Sequence, residues 1–326
     1  MVVGVDVGGT STKGAIVDPL GAILVRVERP TEKSAGTKGI IAVVDELMER
    51  ARERTVEPIA VGVGAAGFID AASGSVTFSP NLVYDDPQIA DAVSARVRLP
   101  VIVDNDANAA VWGERAFGAA RGSDHVAYLT VGTGIGSGFI VEGRLVRGFT
   151  GAGAEMGHTV VDPDGPQCPC GLRGCLEQFA SGTAIARSAR EALDVDPSSS
   201  ILAFAGTTGA VNAEHVTKAA RQYDEVARDV LRRAGGALGV GLSNVVNIFD
   251  PEVIVLGGGV ARAGEPFLGP CRDELARMTQ AQRRRPVRLA ITSLGVDAGI
   301  VGAAALAFDL EFETGNVRVD RGTDTT

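Results

Sequence analysis

Apolar positions along the chain fall into two rhythms, short unbroken runs and runs at helical spacing. Val2 to Val7 is an unbroken run and reads as a buried strand. Gly14 to Asp18 and Ala22 to Val27 read as two more strands around a Pro19-Leu20-Gly21 turn. Ile40, Ile41, Val44, Leu47 and Met48 recur at helical spacing and predict a helix over about 37–54. Ile59 to Val63 and Leu99 to Val103 are further strands, and a helix over 106–117 closes the unit. After a linker at 119–124 the order restarts with strands at 126–131, 136–141 and 144–146. Helical sequence follows at 176–193, then a long apolar helix at 224–247. A strand at 253–256, a helix from about Ala261, a strand at 287–292 and a small-residue helix at 299–308 complete the pattern.

Two successive β-rich α/β units predict a duplicated fold with a cleft between its halves, a favoured place for ligands. The expected first domain is 1–118, with the helix at 299–310 packing back on it. The expected second domain is 119–298, and the polar stretch 313–326 is expected to be disordered.

Composition narrows the class. The net charge of −9 argues against a general nucleic-acid binder. No apolar run approaches the roughly 18 residues that span a bilayer. The opening MVVGVDVGGT is not a secretory signal, so a cytoplasmic protein with no membrane partner is expected. Glycine supplies 43 of 326 residues, about twice the usual share. With no G-X-Y period and 45 % hydrophobic residues, neither collagen nor low complexity explains the excess.

Most of these glycines sit in segments with chemical promise. In Asp6 to Gly14 (DVGGTSTKG) a strand ends, and Gly8 and Gly9 can turn sharply and bring N–H groups to an anion. Thr10 adds a hydroxyl and Lys13 a charge, while Asp6 suits Mg²⁺ held through water. Thr130 to Gly138 (TVGTGIGSG) repeats the logic with Thr133 and Gly134. The two loops, one per half, would clamp a phosphate chain from both sides; the bland alternative for each is a plain hairpin turn. Gly257, Gly258 and Gly259 end a third strand, where a backbone without side chains can accept adenine or ribose.

VDNDANAA delivers Asp104, Asn105 and Asp106 into a helix opening. A carboxylate there can take a proton from a substrate hydroxyl, as phosphoryl transfer requires. Asn105 can both donate to and accept from a sugar hydroxyl. The alternative is that Asp104 or Asp106 merely caps the helix. Glu155 and His158 in GAEMGH, and Asn81 in PNL, can hydrogen-bond a polyol, and the alternative for each taken singly is a structural role. His158, Cys168, Cys170 and Cys175 form H-x9-C-x-C-x4-C, the donor set of a closed structural zinc site, carried on the loop 158–175. One His158 nitrogen would bind zinc and the other face substrate.

Together DVGGTSTKGA, VDNDANAA, GAEMGH and CPCGLRGCLE resemble the ROK family of sugar kinases and repressors, over nearly the whole chain, and within it the glucokinase branch. The resemblance implies an actin-like, ribonuclease H-like two-domain ATPase fold. ATP would phosphorylate the 6-hydroxyl of glucose, with Mg²⁺ and a structural Zn²⁺ bound. Asp106 would be the general base. Gly67, Asn81, Asn105, Asp106, Glu155, His158 and Glu177 would hold the sugar. Thr133 and Gly134 would touch phosphate, and Gly257 to Gly259 the adenosine. A homodimer or homotetramer is implied. Tyr84 stands where similar chains often carry Trp, and Ser11 where some carry Lys. The alternatives are another hexose (fructose, mannose, allose or an N-acetylhexosamine) or polyphosphate as donor. A repressor would need a helix-turn-helix ahead of Asp6, where only five residues stand.

Overall fold

The computed structural model describes residues 1–280 and 283–313; the tail expected beyond 313 lies outside them. Contacts divide the chain into two compact units. The first comprises Met1–Arg121, Arg147–Gly153 and the chain from Val296; the second comprises Gly122–Val146 and Ala154–Gly295.

In the first unit β1 (Val2–Val7), β2 (Ser11–Val17) and β3 (Ile23–Pro30) precede α1 (Gly36–Glu53) and β4 (Val61–Ala65). A small hairpin follows, β5 (Phe68–Asp70) and β6 (Ser75–Phe78). Then come α2 (Ile89–Val97), β7 (Val101–Asn105) and α3 (Asp106–Phe117). The sheet order is β3-β2-β1-β4-β7, with β1, β4 and β7 parallel. The period-2 geometry of β1 sends Val3, Val5 and Val7 to one face, where they meet Ile40, Val43, Val44 and Leu47 of α1.

The second unit repeats this plan. It runs β8 (Val126–Val131), β9 (Ile135–Val141), β10 (Arg144–Leu145), α4 (Glu177–Ala180), α5 (Gly182–Val195), α6 (Ile201–Ala205), α7 (Ala213–Arg221), α8 (Glu225–Phe249), β11 (Val253–Gly257), α9 (Glu265–Met278) and β12 (Arg288–Ile291). Its order, β10-β9-β8-β11-β12, copies the first sheet strand for strand, antiparallel at one end and parallel at the other. The helix expected over 176–193 is two helices. The chain is extended at Ser181, whose hydroxyl accepts from Ala184 N–H and so caps α5. The helix expected from Ala261 opens as a 3-10 turn, Val260–Ala263, and α9 starts after Gly264 at φ +77°.

The last helix, α10 (Ala298–Glu313), returns to the first unit. Ile300, Ala304 and Ala307 pack on Val2, Ala15, Val17 and Ala60, the sheet face that α1 leaves uncovered. The approach is backbone to backbone. A Cβ on Gly62 would lie 1.8 Å from the Ala303 carbonyl, and one on Gly302 1.8 Å from that of Ala109. These glycines are required by packing, so part of the excess serves helix–sheet and helix–helix contact and not ligand loops. Among the described residues no helix is long and apolar enough to cross a membrane.

Candidate active site

Two of the three parallel strands of the first unit, β1 and β7, lead to acids. Asp6 is on β1, paired across the hairpin with Lys13 of β2, and it lies against Gly299 in the first turn of α10. Asp106 is the first residue of α3. Burial pushes the Asp106 carboxyl up to about 6. Burial, and then the Asp106 charge, pushes Asp6 up to about 7, against a lowering pull from Lys13. An acid pair whose charges oppose each other is suited to a cation, and a carboxyl near 6 is suited to accepting a proton.

The cap of α3 is Asn105, and Asp106 Oδ1 shares one of its donors, accepting from Ala107 N–H at 2.8 Å. Asn105 Oδ1 accepts from Ala107 N–H at 2.9 Å and Asn108 N–H at 3.2 Å. Asn105 Nδ2 donates one hydrogen to the Gly67 carbonyl at 3.1 Å, which leaves its second hydrogen for a ligand. Gly67 has φ +137°, and a Cβ there would sit 2.5 Å from the Phe78 carbonyl. Tyr84 donates to the Ala66 carbonyl at 3.1 Å. Burial first, then the Asp106 charge, raises the Tyr84 phenol well above its usual range, which puts Tyr84 beside the same acid. Asn81 is exposed in the loop between β6 and α2. The first unit therefore gathers Gly67, Tyr84, Asn105 and Asp106 around the mouth of α3.

In the second unit the turn 132–134 joins β8 to β9 and is held from the helical side. Gly182 N–H donates to the Gly132 carbonyl at 2.7 Å, and Thr183 Oγ1 donates to the Thr133 carbonyl at 2.8 Å. Ile135 N–H donates to Glu177 Oε2 at 2.9 Å, and a Cβ on Gly134 would collide with that carboxylate. Glu177, read from the sequence as a sugar ligand, thus also braces the turn. Gly157 of GAEMGH packs on the Ile135 carbonyl, and Met156 N–H donates to Ser137 Oγ at 3.0 Å. Glu155, His158 and Glu177 are all half-buried around this turn.

The metal loop lies next in the chain. His158, Cys168, Cys170 and Cys175 place one donor atom each within 4.8 Å of one another. Cys168 Sγ is 3.7 Å from His158 Nδ1, and Cys170 Sγ is 3.6 Å from Cys175 Sγ. Those separations are too long for disulfides. They match the edge of a tetrahedron with ~2.3 Å metal–sulfur bonds, about 3.8 Å. Burial pushes the Cys175 thiol up to about 12, so a cation is needed to keep it ionised, while the Leu172 N–H lowers Cys170. Outside the ligands, Gln178 Nε2 donates to Cys168 Sγ at 3.7 Å and is itself held by Arg187. The residues fit a structural zinc, with His158 Nδ1 turned to the metal and Nε2 away from it.

Beside the turn is a 930 Å³ pocket, entirely within the second unit. Gly132, Thr133, Gly182, Thr183, Asn212, Gly259 and Val260 line it, together with Arg190, Arg221, Arg262 and the Lys218–Glu214 ion pair at 2.7 Å. Gly257 and Gly258 do not line it. A Cβ on Gly257 would lie 2.2 Å from the Tyr128 hydroxyl. Gly258, at φ +83°, would meet the Val131 carbonyl at 2.3 Å. Packing on β8 accounts for both, and Gly259 alone of the three faces the pocket. The four cations went unread in the sequence. Their one local signal is the basic spacing of Lys218 and Arg221 on α7.

A sheet order used twice, acids at the strand ends of one half and a glycine-threonine turn over a cationic pocket in the other, define a two-domain actin-like ATPase fold. The chain belongs to the ROK family, whose model matches residues 2–309. It is 40 % identical over 306 residues to the glucokinase of Thermotoga maritima, covering 94 % of this chain and 96 % of that one. To the glucokinase of Streptomyces coelicolor it is 39 % identical over 311 residues, covering 94 % and 97 %. Among solved structures it is similar to a ROK family glucokinase from Streptomyces griseus in complex with glucose and AMPPNP. There the TM-score is 0.83 and the identity 40 %, over 94 % of this chain and 99 % of that one.

Proposed function

We propose that the protein is an ATP-dependent glucokinase that phosphorylates the 6-hydroxyl of glucose. What carries the reading is its likeness, over 94 % of the chain, to a glucokinase solved with glucose and AMPPNP. On this reading each part of the reaction has a residue to carry it. Asp106 accepts the proton of the 6-hydroxyl, whose oxygen forms the new bond to the γ-phosphorus of ATP. The bond from that phosphorus to the bridging oxygen breaks, ADP leaves with the electron pair, and the proton stays on Asp106. Asn105 and Gly67 orient the sugar from the first unit. Asn81, Glu155, His158 and Glu177 add further sugar contacts. Gly8, Gly9, Thr10 and Lys13, with Thr133 and Gly134, face the phosphates. Asp6 would hold Mg²⁺ through water, which would neutralise phosphate charge. The 930 Å³ pocket takes the adenosine, with Gly259 on its floor.

The test is ADP release measured over a panel of hexoses and amino sugars, with ATP and polyphosphate compared. Glucose with ATP is expected to give the highest kcat/KM. A better hexose, or a better rate with polyphosphate, would replace the corresponding half of the reading. The same reading expects a cytoplasmic homodimer or homotetramer without a nucleic-acid partner, which light scattering and DNA retention at physiological salt would check.

A further inference from the structure

Asp104 is 2 % exposed and its carboxylate is fully engaged. Oδ1 accepts from Asn105 N–H at 2.8 Å and from Asn108 Nδ2 at 2.9 Å, and Oδ2 accepts from Arg147 Nε at 2.7 Å. Two of these donors are local and belong to the segment that opens α3. The third comes from far along the chain. A buried carboxylate stripped of its cation is strongly disfavoured, so this pair holds Arg147 in place.

The chain position of Arg147 gives the pair its meaning. The chain on either side belongs to the second unit, yet Arg147–Gly153 packs with the first. Gly153 N–H donates to the Arg147 carbonyl at 3.0 Å and closes this segment into a loop. Within it Gly151, at φ +78°, lies so close to the Ile69 carbonyl that a Cβ would be 1.9 Å away. Arg147 on Asp104 and Gly151 on β5 are therefore two clamps on one short loop. The chain leaves it through Ala154 straight to Glu155 and His158.

We propose that Arg147 is a positioning residue: through its buried ion pair with Asp104 it fixes the loop from which Glu155 and His158 reach the sugar. The inference rests on the glucokinase reading above. Arg147 meets no reacting atom. It ties the sugar-holding segment to the strand that delivers Asp106.

Full-length wild type, Arg147→Gln, Arg147→Lys, Asp104→Asn and the Asp104→Asn/Arg147→Gln double variant test it. Glucose binding is measured by calorimetry without nucleotide, kinetics with glucose and ATP varied separately, and melting temperature alongside. Arg147→Gln is expected to weaken glucose binding and lower kcat/KM for glucose by about 10–100-fold. Its KM for ATP should stay within about twofold. Arg147→Lys should recover part of the loss, because it keeps the charge without the planar fork. The double variant should be no worse than the poorer single one, as for one shared interaction. A lower melting temperature with unchanged glucose binding and kcat/KM would make Arg147 merely structural and overturn the proposal. Equal damage to both KM values, or Lys no better than Gln, would overturn it too. If Arg147→Gln does not fold, Asp104→Asn reads the same coupling, since it keeps the shape of the side chain. A wild type that binds glucose without phosphorylating it sinks the glucokinase reading, and the binding series then decides on Arg147. A wild type that binds no hexose sinks both.

Discussion

The two β-hairpin turns, one in each unit, occupy equivalent places in equivalent sheets and are built differently. In the first, four residues (8–11) separate the paired Val7 and Thr12. In the second, three (132–134) separate Val131 and Ile135. The first is braced by β3 and the chain just after it: Thr31 Oγ1 donates to the Gly8 carbonyl at 2.8 Å, and Thr31 N–H to the Thr10 carbonyl at 3.0 Å. The second is braced by helices that follow the metal loop, through Glu177, Gly182 and Thr183. Beside the turns the register pairs Asp6 with Lys13 in one unit and Thr130 with Gly136 in the other. One architecture therefore carries two chemistries. The first unit keeps buried carboxyls whose pKa is raised, the kind of group the proposed function needs to move a proton. The second sets the Glu177 carboxylate against its turn as a brace and has cations in the pocket beyond it.

The hardest break in this comparison is Asp106→Asn, which removes one of the two raised carboxyls of the first unit. Turnover should fall about 10²–10⁴-fold, or ~3–5.5 kcal/mol in barrier, with calorimetric sugar binding retained. Near-normal turnover would take Asp106 out of the role. Next comes Cys175→Ser, which strikes the second unit alone. We expect about one zinc per chain in the wild type and its loss in the variant. Glucose affinity and nucleotide kinetics should worsen by about 10–100-fold. Amide exchange should rise at Ile135 and stay unchanged at Gly8; a rise at both turns would mean that the bracing is not separate.

Acidity sharpens the contrast at the next level. Asp106 acts as a base only when ionised, so kcat/KM should fall about tenfold per pH unit below about 6 and level off above it. Stability runs the other way. The folded chain keeps protons on Asp6 and Asp106 that unfolded aspartates near 3.8 release. In metal-free protein the penalty is absent below about 4 and grows as pH rises to about 7, which melting curves would record. A flat profile would show that these carboxyls are not raised. The smallest effects are a matched pair, Thr31→Val and Thr183→Val. Each removes a hydroxyl bond to one turn, worth ~1 kcal/mol, and should raise the KM for ATP about fivefold or less.

Much of this was legible in the chain because it is local. The strand-turn-strand repeat, α3 opening on the VDNDANAA acids, and the cysteine spacing all show within a few residues. The β5–β6 hairpin and α2 were not: the strands are too short for a period, and α2 lacks a side-chain cap at Gln88. The packing of Gly62, Gly257 and Gly302 was not legible, because what a glycine admits depends on the partner that packs on it, here α10 or β8, and a sequence does not display that partner. The Arg147–Asp104 pair and the cations of the pocket joined from α5, α7 and the turn before α9 share this limit. Each is made by side chains distant in sequence that only the fold assembles.

The return of α10 to the first sheet has a consequence in time. On the ribosome, the residues that cover Val2, Val17 and Ala60 emerge about 180 residues after α3. At ~5–20 residues per second that is a delay of roughly 10–40 s. The second unit's elements are all made before α10, so that unit can finish first. The first unit, although synthesised first, must wait with one apolar face bare. That interval is when the nascent chain most needs protection from its neighbours.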